Sequence, residues 1–140
     1  MPAVDRAYPR PLHPLHAVLL AGTVPLFLGA LLSDWAYSAS YEIQWKNFAS
    51  WLIVGGLVFA GFALLAALIG LLRGRRRRRS IVYVLLLLAA FLLGFVNALV
   101  HAKDAWATMP EGLILSAIVT LLVLAATWLG FSTLRSGVTP

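Results

Sequence analysis

The sequence contains no cysteine and few charged residues. Without a thiol the chain can form no disulfide, no thiolate metal site, no cysteine-ligated iron–sulfur cluster and no c-type haem attachment. Charged residues make up 11% of the 140 residues and hydrophobic residues 61%, whereas soluble domains carry about 25% charged residues. This composition predicts a single domain, residues 1–140, that is embedded in a lipid bilayer.

Acidic residues are scarcer than basic ones, because five Asp and Glu stand against eleven Lys and Arg. Six of those cations lie in one short stretch, LLRGRRRRRS: Arg73, Arg75, Arg76, Arg77, Arg78 and Arg79. A site for single-stranded nucleic acid would interleave cations with aromatic residues, and this stretch has none. We therefore expect no nucleic-acid partner, and we interpret the run as a topology determinant that also contacts anionic lipids.

Four apolar runs are long enough to cross the bilayer. A helix needs about 20 apolar residues to span about 30 Å of hydrocarbon, and the runs cover about 16–37, 48–72, 81–101 and 112–134. None alternates as a barrel strand does, and a spanning segment must otherwise be helical to satisfy its backbone. The fold class predicted is all-α, a polytopic four-transmembrane-helix bundle with antiparallel neighbours.

The distribution of cations predicts the orientation of this bundle. Lys and Arg concentrate in cytoplasmic loops, so the arginine-rich loop 73–79 is expected inside. The N-terminal Arg6 and Arg10 and the C-terminal Arg135 then lie inside as well, and only Lys46 and Lys103 lie outside. We predict a multi-pass protein of a bacterial inner membrane with both termini in the cytoplasm.

One polar cluster is expected at the outer membrane interface. Its predicted members come from FVNALVHAKDAW and from SDWAY at the same depth: Asn97, His101, Asp104, Trp106, Asp34 and Trp35. Intramembrane polar residues are unfavourable unless they find partners, so the cluster is a candidate site for a quinone headgroup or a partner protein. The alternative is an interhelical hydrogen bond together with the usual aromatic belt.

The three histidines are candidate metal or haem ligands. His13 and His16 are three residues apart at the start of the first span, a candidate N-terminal site, but only Asp5 could add a third ligand nearby. We predict no metal and expect these residues to fix the entry of the chain into the bilayer. A bis-histidine haem b is disfavoured because His16 and His101 fall at opposite membrane surfaces, which leaves only a His101 and Met109 pair open.

Small residues recur at helical spacing, as at Ala90, Gly94 and Ala98 and again at Gly112, Ser116 and Thr120. Such stripes let membrane helices approach closely, and a ligand groove is the alternative interpretation. No nucleophile with an adjacent base, paired carboxylate or phosphate loop is present in the sequence. We therefore do not expect catalysis by this chain alone.

Several motifs together resemble a bacterial family of predicted membrane proteins, domain of unknown function 2231. The resemblance covers nearly the whole chain and rests on an HPLH start, a His–x–x–Asp–x–Trp segment, P-x-G-L and W-L-G: His13, Pro14, His16, His101, Asp104, Trp106, Pro110, Gly112, Leu113, Trp128, Leu129 and Gly130. The chain departs from the family pattern at Ala17, where a proline is expected, and in its tail LRSGVTP. Relatives fused to Rieske-type domains or adjacent to quinoprotein sugar dehydrogenases imply a link to membrane electron transfer.

These observations support one leading hypothesis and several alternatives. In the leading hypothesis the protein is an accessory subunit that anchors or assists a periplasmic redox enzyme and electron transfer toward the quinone pool. Its cofactor is unknown, and a quinone is the first candidate. The alternatives are a structural or assembly bundle without ligand, a haem b protein and a small transporter. The candidate protein partners are other membrane or periplasmic redox subunits and further copies of this chain.

Overall fold

The computed structural model describes residues 13–73 and 78–135 and contains four long helices there. They are α1 (Pro14–Ser40), α2 (Ile43–Leu72), α3 (Arg78–His101) and α4 (Glu111–Arg135). One 3₁₀ turn, Ala105–Ala107, lies between α3 and α4. All four helices are long and apolar enough to span a membrane, which confirms the predicted all-α, four-span fold.

The helices extend beyond the predicted apolar runs at several ends. The largest difference is at α2, which begins at Ile43 rather than near residue 48. Hydropathy locates the part of a helix that faces hydrocarbon. The polar residues Gln44, Lys46 and Asn47 lower the hydropathy of this segment without breaking the helix. The same extension shortens the connection from α1 to two residues, with Tyr41 in a left-handed conformation (φ 55°) closing α1.

The helices form a ring in which each packs on its neighbours along the chain. α1 packs against α2 and α4, and α3 packs against the same two helices, so α1 and α3 face each other across the bundle. The pairs Gly22–Phe59 and Gly29–Leu52 show that α1 and α2 are antiparallel. Contacts between α2 and α3 show that these two helices are antiparallel as well, so α1 and α3 run in the same direction.

The bundle therefore has two ends. The arginine end holds the starts of α1 and α3 and the ends of α2 and α4, at Pro14, Arg78, Leu72 and Arg135. The distal end holds the opposite termini, at Ser40, His101, Ile43 and Glu111. Two apolar layers separate these ends, one around Phe27 and Val123 and the other around Leu20 and Leu87.

Small residues allow close helix contact at several positions, inside the predicted stripes and outside them. A Cβ added to Gly56 would lie 2.8 Å from the ring of Phe27, and one added to Gly130 would lie 2.6 Å from Leu20. Ala90 is completely buried in the layer around Phe27. The large apolar side chains that remain exposed on the outside of the bundle, such as Leu121 and Phe62, face lipid when the helices span a membrane.

Candidate functional site

Polar contacts join the parallel helices α1 and α3 at both ends of the bundle. His16 meets Tyr83 at the arginine end, and Asp34 meets His101 at the distal end, each pair 67 residues apart in sequence. From His16 to Asp34, and from Tyr83 to His101, is 18 residues, which is about five helical turns and about 27 Å. Both pairs therefore lie on the same facing sides of α1 and α3.

The distal pair joins a carboxylate to an imidazole. His101 Nε2 lies 2.7 Å from Asp34 Oδ1. The other ring nitrogen, Nδ1, lies 3.0 Å from the backbone carbonyl of Asn97, one turn earlier on α3. Both ring nitrogens of His101 are thus engaged within the protein, so the ring offers no free lone pair to a haem iron paired with Met109.

Ser116 of α4 completes the contact from a third helix. Its hydroxyl donates to Asp34 Oδ2 at 2.5 Å and accepts from Asn97 Nδ2 at 2.8 Å. The hydrogen of that hydroxyl is used on the carboxylate, so the amide group facing it must be the NH2 group. Asp34 and Asn97 are 0% exposed, Ser116 1% and His101 3%. We call these four residues the distal centre.

The contacts of His101 constrain where the hydrogens of the Asp34–His101 pair can lie. A carbonyl oxygen only accepts, so Nδ1 of His101 carries a hydrogen and donates it to Asn97. The 2.7 Å contact between Nε2 and Oδ1 is a hydrogen bond only if one proton lies between them. The pair is therefore either imidazolium with carboxylate or neutral imidazole with carboxylic acid, and in both forms it holds one proton to exchange.

A single acceptor in the distal centre lacks a partner. Within the described ranges, Oδ1 of Asn97 is buried and receives no hydrogen bond. Buried polar atoms are nearly always partnered, so this oxygen marks the place where a donor from outside the protein would be most favourable.

The connection between α3 and α4 covers the distal centre. This roof segment, residues 102–110, is fastened by Tyr37, whose hydroxyl donates to the carbonyl of Ala105 at 2.9 Å. The ring of Tyr41 stacks on Trp106, with centroids 5.4 Å apart. Gly112 follows at the start of α4, where an added Cβ would lie 2.9 Å from Cε1 of His101. Its lack of a side chain lets α4 approach the imidazole.

The structure brings together only part of the predicted outer cluster. Asn97, His101 and Asp34 meet, whereas Asp104 is exposed and Trp35 and Trp106 are 65% and 76% exposed. Trp35 follows Asp34 directly and is rotated by about 100° around the helix, so it faces outward while Asp34 faces the bundle axis. Ser116 was predicted as a packing residue with a ligand groove as the alternative, although its hydroxyl was the signal for a polar contact with another helix.

The two histidines near the N-terminus have different surroundings. His13 is exposed and caps α1, where its Nδ1 accepts from the backbone N–H of Leu15 at 3.3 Å. His16 is buried and its Nε2 lies 2.7 Å from the hydroxyl of Tyr83. The two rings therefore make separate contacts, and no group of three or more metal-ligating side chains occurs in residues 13–73 and 78–135. Asp5 lies outside those ranges.

The structure describes three of the six arginines in the arginine run. Arg73, Arg78 and Arg79 are exposed at the arginine end, and Arg75, Arg76 and Arg77 lie outside the described residues. Because Lys46 and Lys103 lie at the distal end, the described cations are divided between the ends as the sequence predicted.

Comparison with known proteins identifies the family of this chain. Comparison with curated proteins and with solved structures gives no significant match. The model of the family DUF2231, described as a predicted membrane protein, matches residues 12–138. The matched region contains the whole bundle and the distal centre, and the chain belongs to the DUF2231 family of predicted membrane proteins.

Proposed function

We propose that the protein is a small integral membrane accessory subunit whose Asp34–His101 pair supplies a proton for quinone-linked electron transfer by a redox partner. The partner docks at the distal end and provides the electrons. The resemblance to a family with relatives linked to Rieske-type and quinoprotein partners supports this direction. The buried pair itself is the observation that carries the proposal.

An aspartate and a histidine inside a membrane bundle are costly to bury. Ionisable residues in spanning helices are rare and usually mark proton or substrate sites. Here the carboxylate of Asp34 also accepts a hydrogen bond from Ser116, which stabilises its charge whenever the shared proton leaves. The centre is therefore built to tolerate two protonation states.

The chemistry assigned to the pair is proton donation. Reducing a quinone to a quinol takes two electrons, which the partner supplies, and two protons, one of which comes from the pair and the other from the distal aqueous phase. Loss of the shared proton leaves neutral Nε2 of His101 facing the carboxylate of Asp34 across 2.7 Å, two acceptors in repulsive contact. Reprotonation from the distal side relieves that repulsion and resets the pair.

Access to the pair requires movement of the roof segment. His101 is buried, and in this proposal docking of the partner opens the Tyr37–Ala105 hydrogen bond and admits a quinone carbonyl to the imidazole. Asn97 Oδ1, which has no partner in the described structure, then accepts a hydrogen bond from the quinol hydroxyl. The exposed Trp35 and Trp106 supply aromatic surface at the same end.

The orientation and location belong to the proposal. We propose that the arginine end faces the cytoplasm of a bacterium and that the distal end faces the periplasm, because Arg73, Arg78 and Arg79 lie at one end and cations are retained inside. Reporter fusions after Arg135 are expected to be active in the cytoplasm. Periplasmic activity of these fusions would place the distal centre on the wrong side for a periplasmic partner.

A structural bundle without ligand is the second candidate, and the closure of the distal centre favours it. Each member of the centre already has a partner inside the protein, so the network could serve only to fix three helices. The two candidates differ in what they require of Asp34. In a structural role, Asp34 needs only the hydrogen bonds that hold the helices together. As part of a proton donor, Asp34 also needs an ionisable carboxyl oxygen.

The substitution Asp34→Asn separates the two candidates. The amide can donate to neutral Nε2 of His101 and accept from Ser116, so the network survives without a proton to give. Complexes are purified in mild detergent from native membranes, and their partners identified by mass spectrometry before quinone reduction is measured. We expect a folded variant in which the rate falls by at least about a hundredfold, the lower range for general acid catalysis.

The matched control is Tyr83→Phe, which removes the histidine contact at the arginine end. It is expected to retain the wild-type rate and pH profile. A wild-type rate and pH profile in Asp34→Asn would exclude proton donation and leave the structural candidate, and purification without any redox partner would remove the accessory-subunit proposal.

A further inference from the structure

A groove of about 350 Å³ lies between α1 and α4 in the half of the bundle near the arginine end. It is lined by Val24, Leu124, Thr127, Trp128, Phe131 and Ser132. Its volume falls in the range of small-molecule pockets, about 300–1,000 Å³. Leu124 and Trp128 are exposed, so the groove opens sideways into the hydrocarbon of a bilayer rather than into water.

The groove contains a hydroxyl without a partner. Thr127 Oγ1 is buried and makes no hydrogen bond within the part of the chain that is described. By contrast, Thr120 on the same helix donates to the carbonyl of Ser116 at 2.7 Å. In lipid no water is present to satisfy such a hydroxyl, so an acceptor brought by a bound molecule would be favoured there.

The chemistry changes in order along the groove. Apolar walls at Val24 and Leu124 lie deepest, and the hydroxyls of Thr127 and Ser132 follow toward the arginine end. Gly130 packs against Tyr83, which places Arg79, one turn earlier on α3, beside the last turns of α4. The described acids, Asp34 among them, lie at the distal end, so the described charges at the end of the bundle nearer the groove are positive.

We propose that this groove seats one anionic phospholipid from the leaflet at the arginine end. An acyl chain lies between α1 and α4, an ester carbonyl accepts from Thr127, and the phosphate lies toward Arg78 and Arg79. A phospholipid presents the same sequence of apolar chain, carbonyl and anion. A quinone would fit the apolar part but has no charge for the arginines. This proposal does not depend on the proposed function.

The test measures which phospholipids stay with the purified protein. The full chain is purified in mild detergent from membranes that contain both phosphatidylglycerol and phosphatidylethanolamine, and retained molecules are counted by mass spectrometry. The wild type is expected to retain phosphatidylglycerol at about one per chain. Thr127→Val, which preserves shape, is expected to reduce retention about fivefold, as loss of one hydrogen bond predicts.

Two tryptophan variants on α4 form a matched pair. Leu124→Trp fills the groove, whereas Leu121→Trp places the same side chain on the lipid-facing surface, where Leu121 is 67% exposed. We expect the first to lose the bound phosphatidylglycerol and the second to keep it, with equal thermal stability. Replacing Arg78 and Arg79 with Gln is expected to reduce the preference for phosphatidylglycerol about fivefold for each arginine.

Three outcomes would overturn the proposal. These are equal retention in Leu124→Trp and Leu121→Trp, retained phospholipids in the same proportions as the membrane, and a quinone as the molecule displaced by Leu124→Trp.

Discussion

A histidine lies at each end of the α1–α3 contact, in the same helical register but with different partners. At the arginine end, His16 has one hydrogen bond to the phenol of Tyr83, and both groups can be neutral. At the distal end, His101 contacts Asp34, and Ser116 and Asn97 extend the contact into a network across three helices. The comparison shows that a shared helix register sets where polar contacts form, whereas the residue paired with the histidine decides whether the contact can hold an exchangeable proton.

The largest expected effect comes from removing the distal carboxylate. Asp34→Ala leaves His101 and Ser116 buried without their acceptor, so we expect a loss of about 3–5 kcal/mol in the free energy of unfolding. Asp34→Asn, which keeps the hydrogen bonds, is expected to lose less than about 1 kcal/mol. Unfolding in detergent, followed by circular dichroism, measures both losses. Equal losses would show that the hydrogen bonds kept in Asp34→Asn contribute little to stability.

A smaller loss is expected where α4 approaches the imidazole. In Gly112→Ala the new methyl lies 2.9 Å from His101 and 3.0 Å from Thr108, so we expect a loss of about 1–3 kcal/mol from overpacking. Gly70→Ala is the control because nothing lies within 4 Å of its added Cβ. A wild-type melting temperature for Gly112→Ala would mean that the contact with His101 is looser than described.

The arginine-end pair is expected to contribute less than the distal one. Tyr83→Phe removes a single hydrogen bond to His16, for an expected loss of about 1 kcal/mol. Thermal unfolding beside Asp34→Ala tests the ranking directly. The comparison of the two ends fails if Tyr83→Phe is the more destabilising change.

The smallest effect on stability is expected at the roof segment. Tyr37→Phe breaks the hydrogen bond to the carbonyl of Ala105, and we expect amide hydrogen exchange in residues 105–112 to accelerate about fivefold, with the core of α2 unchanged. Ser38→Ala, which removes an exposed hydroxyl bonded within α1, is the control. Equal exchange in both variants would show that Tyr37 does not fasten the roof.

The apolar composition and the four long apolar runs were sufficient to predict the fold, because such runs permit few structures other than helices in lipid. The positions of Asn97, His101 and Asp34 along the predicted spans also placed these residues at one membrane depth. Neither the composition nor these positions gave the rotation of each helix about its axis. For that reason Trp35 and Trp106 were expected in the cluster with Asp34, yet the structure exposes them.

The partners of the two histidines were harder to predict. Ser116 lies in a stripe with Gly112 and Thr120, a pattern that packing alone explains, and Tyr83 lies in an otherwise apolar stretch. A usable signal was nevertheless present. The 18-residue spacing recurs from His16 to Asp34 and from Tyr83 to His101, and two parallel helices with equal spacings can pair at both ends.

The most direct test is nuclear magnetic resonance of the protein in lipid nanodiscs, with ¹⁵N-labelled histidine and ¹³C-labelled aspartate. At neutral pH, one proton is expected between Nε2 of His101 and the carboxyl of Asp34, and none in the corresponding contact of Asp34→Asn beyond the amide hydrogens. An ionised Asp34 beside an imidazole that carries no hydrogen on Nε2 in the wild type would contradict the account.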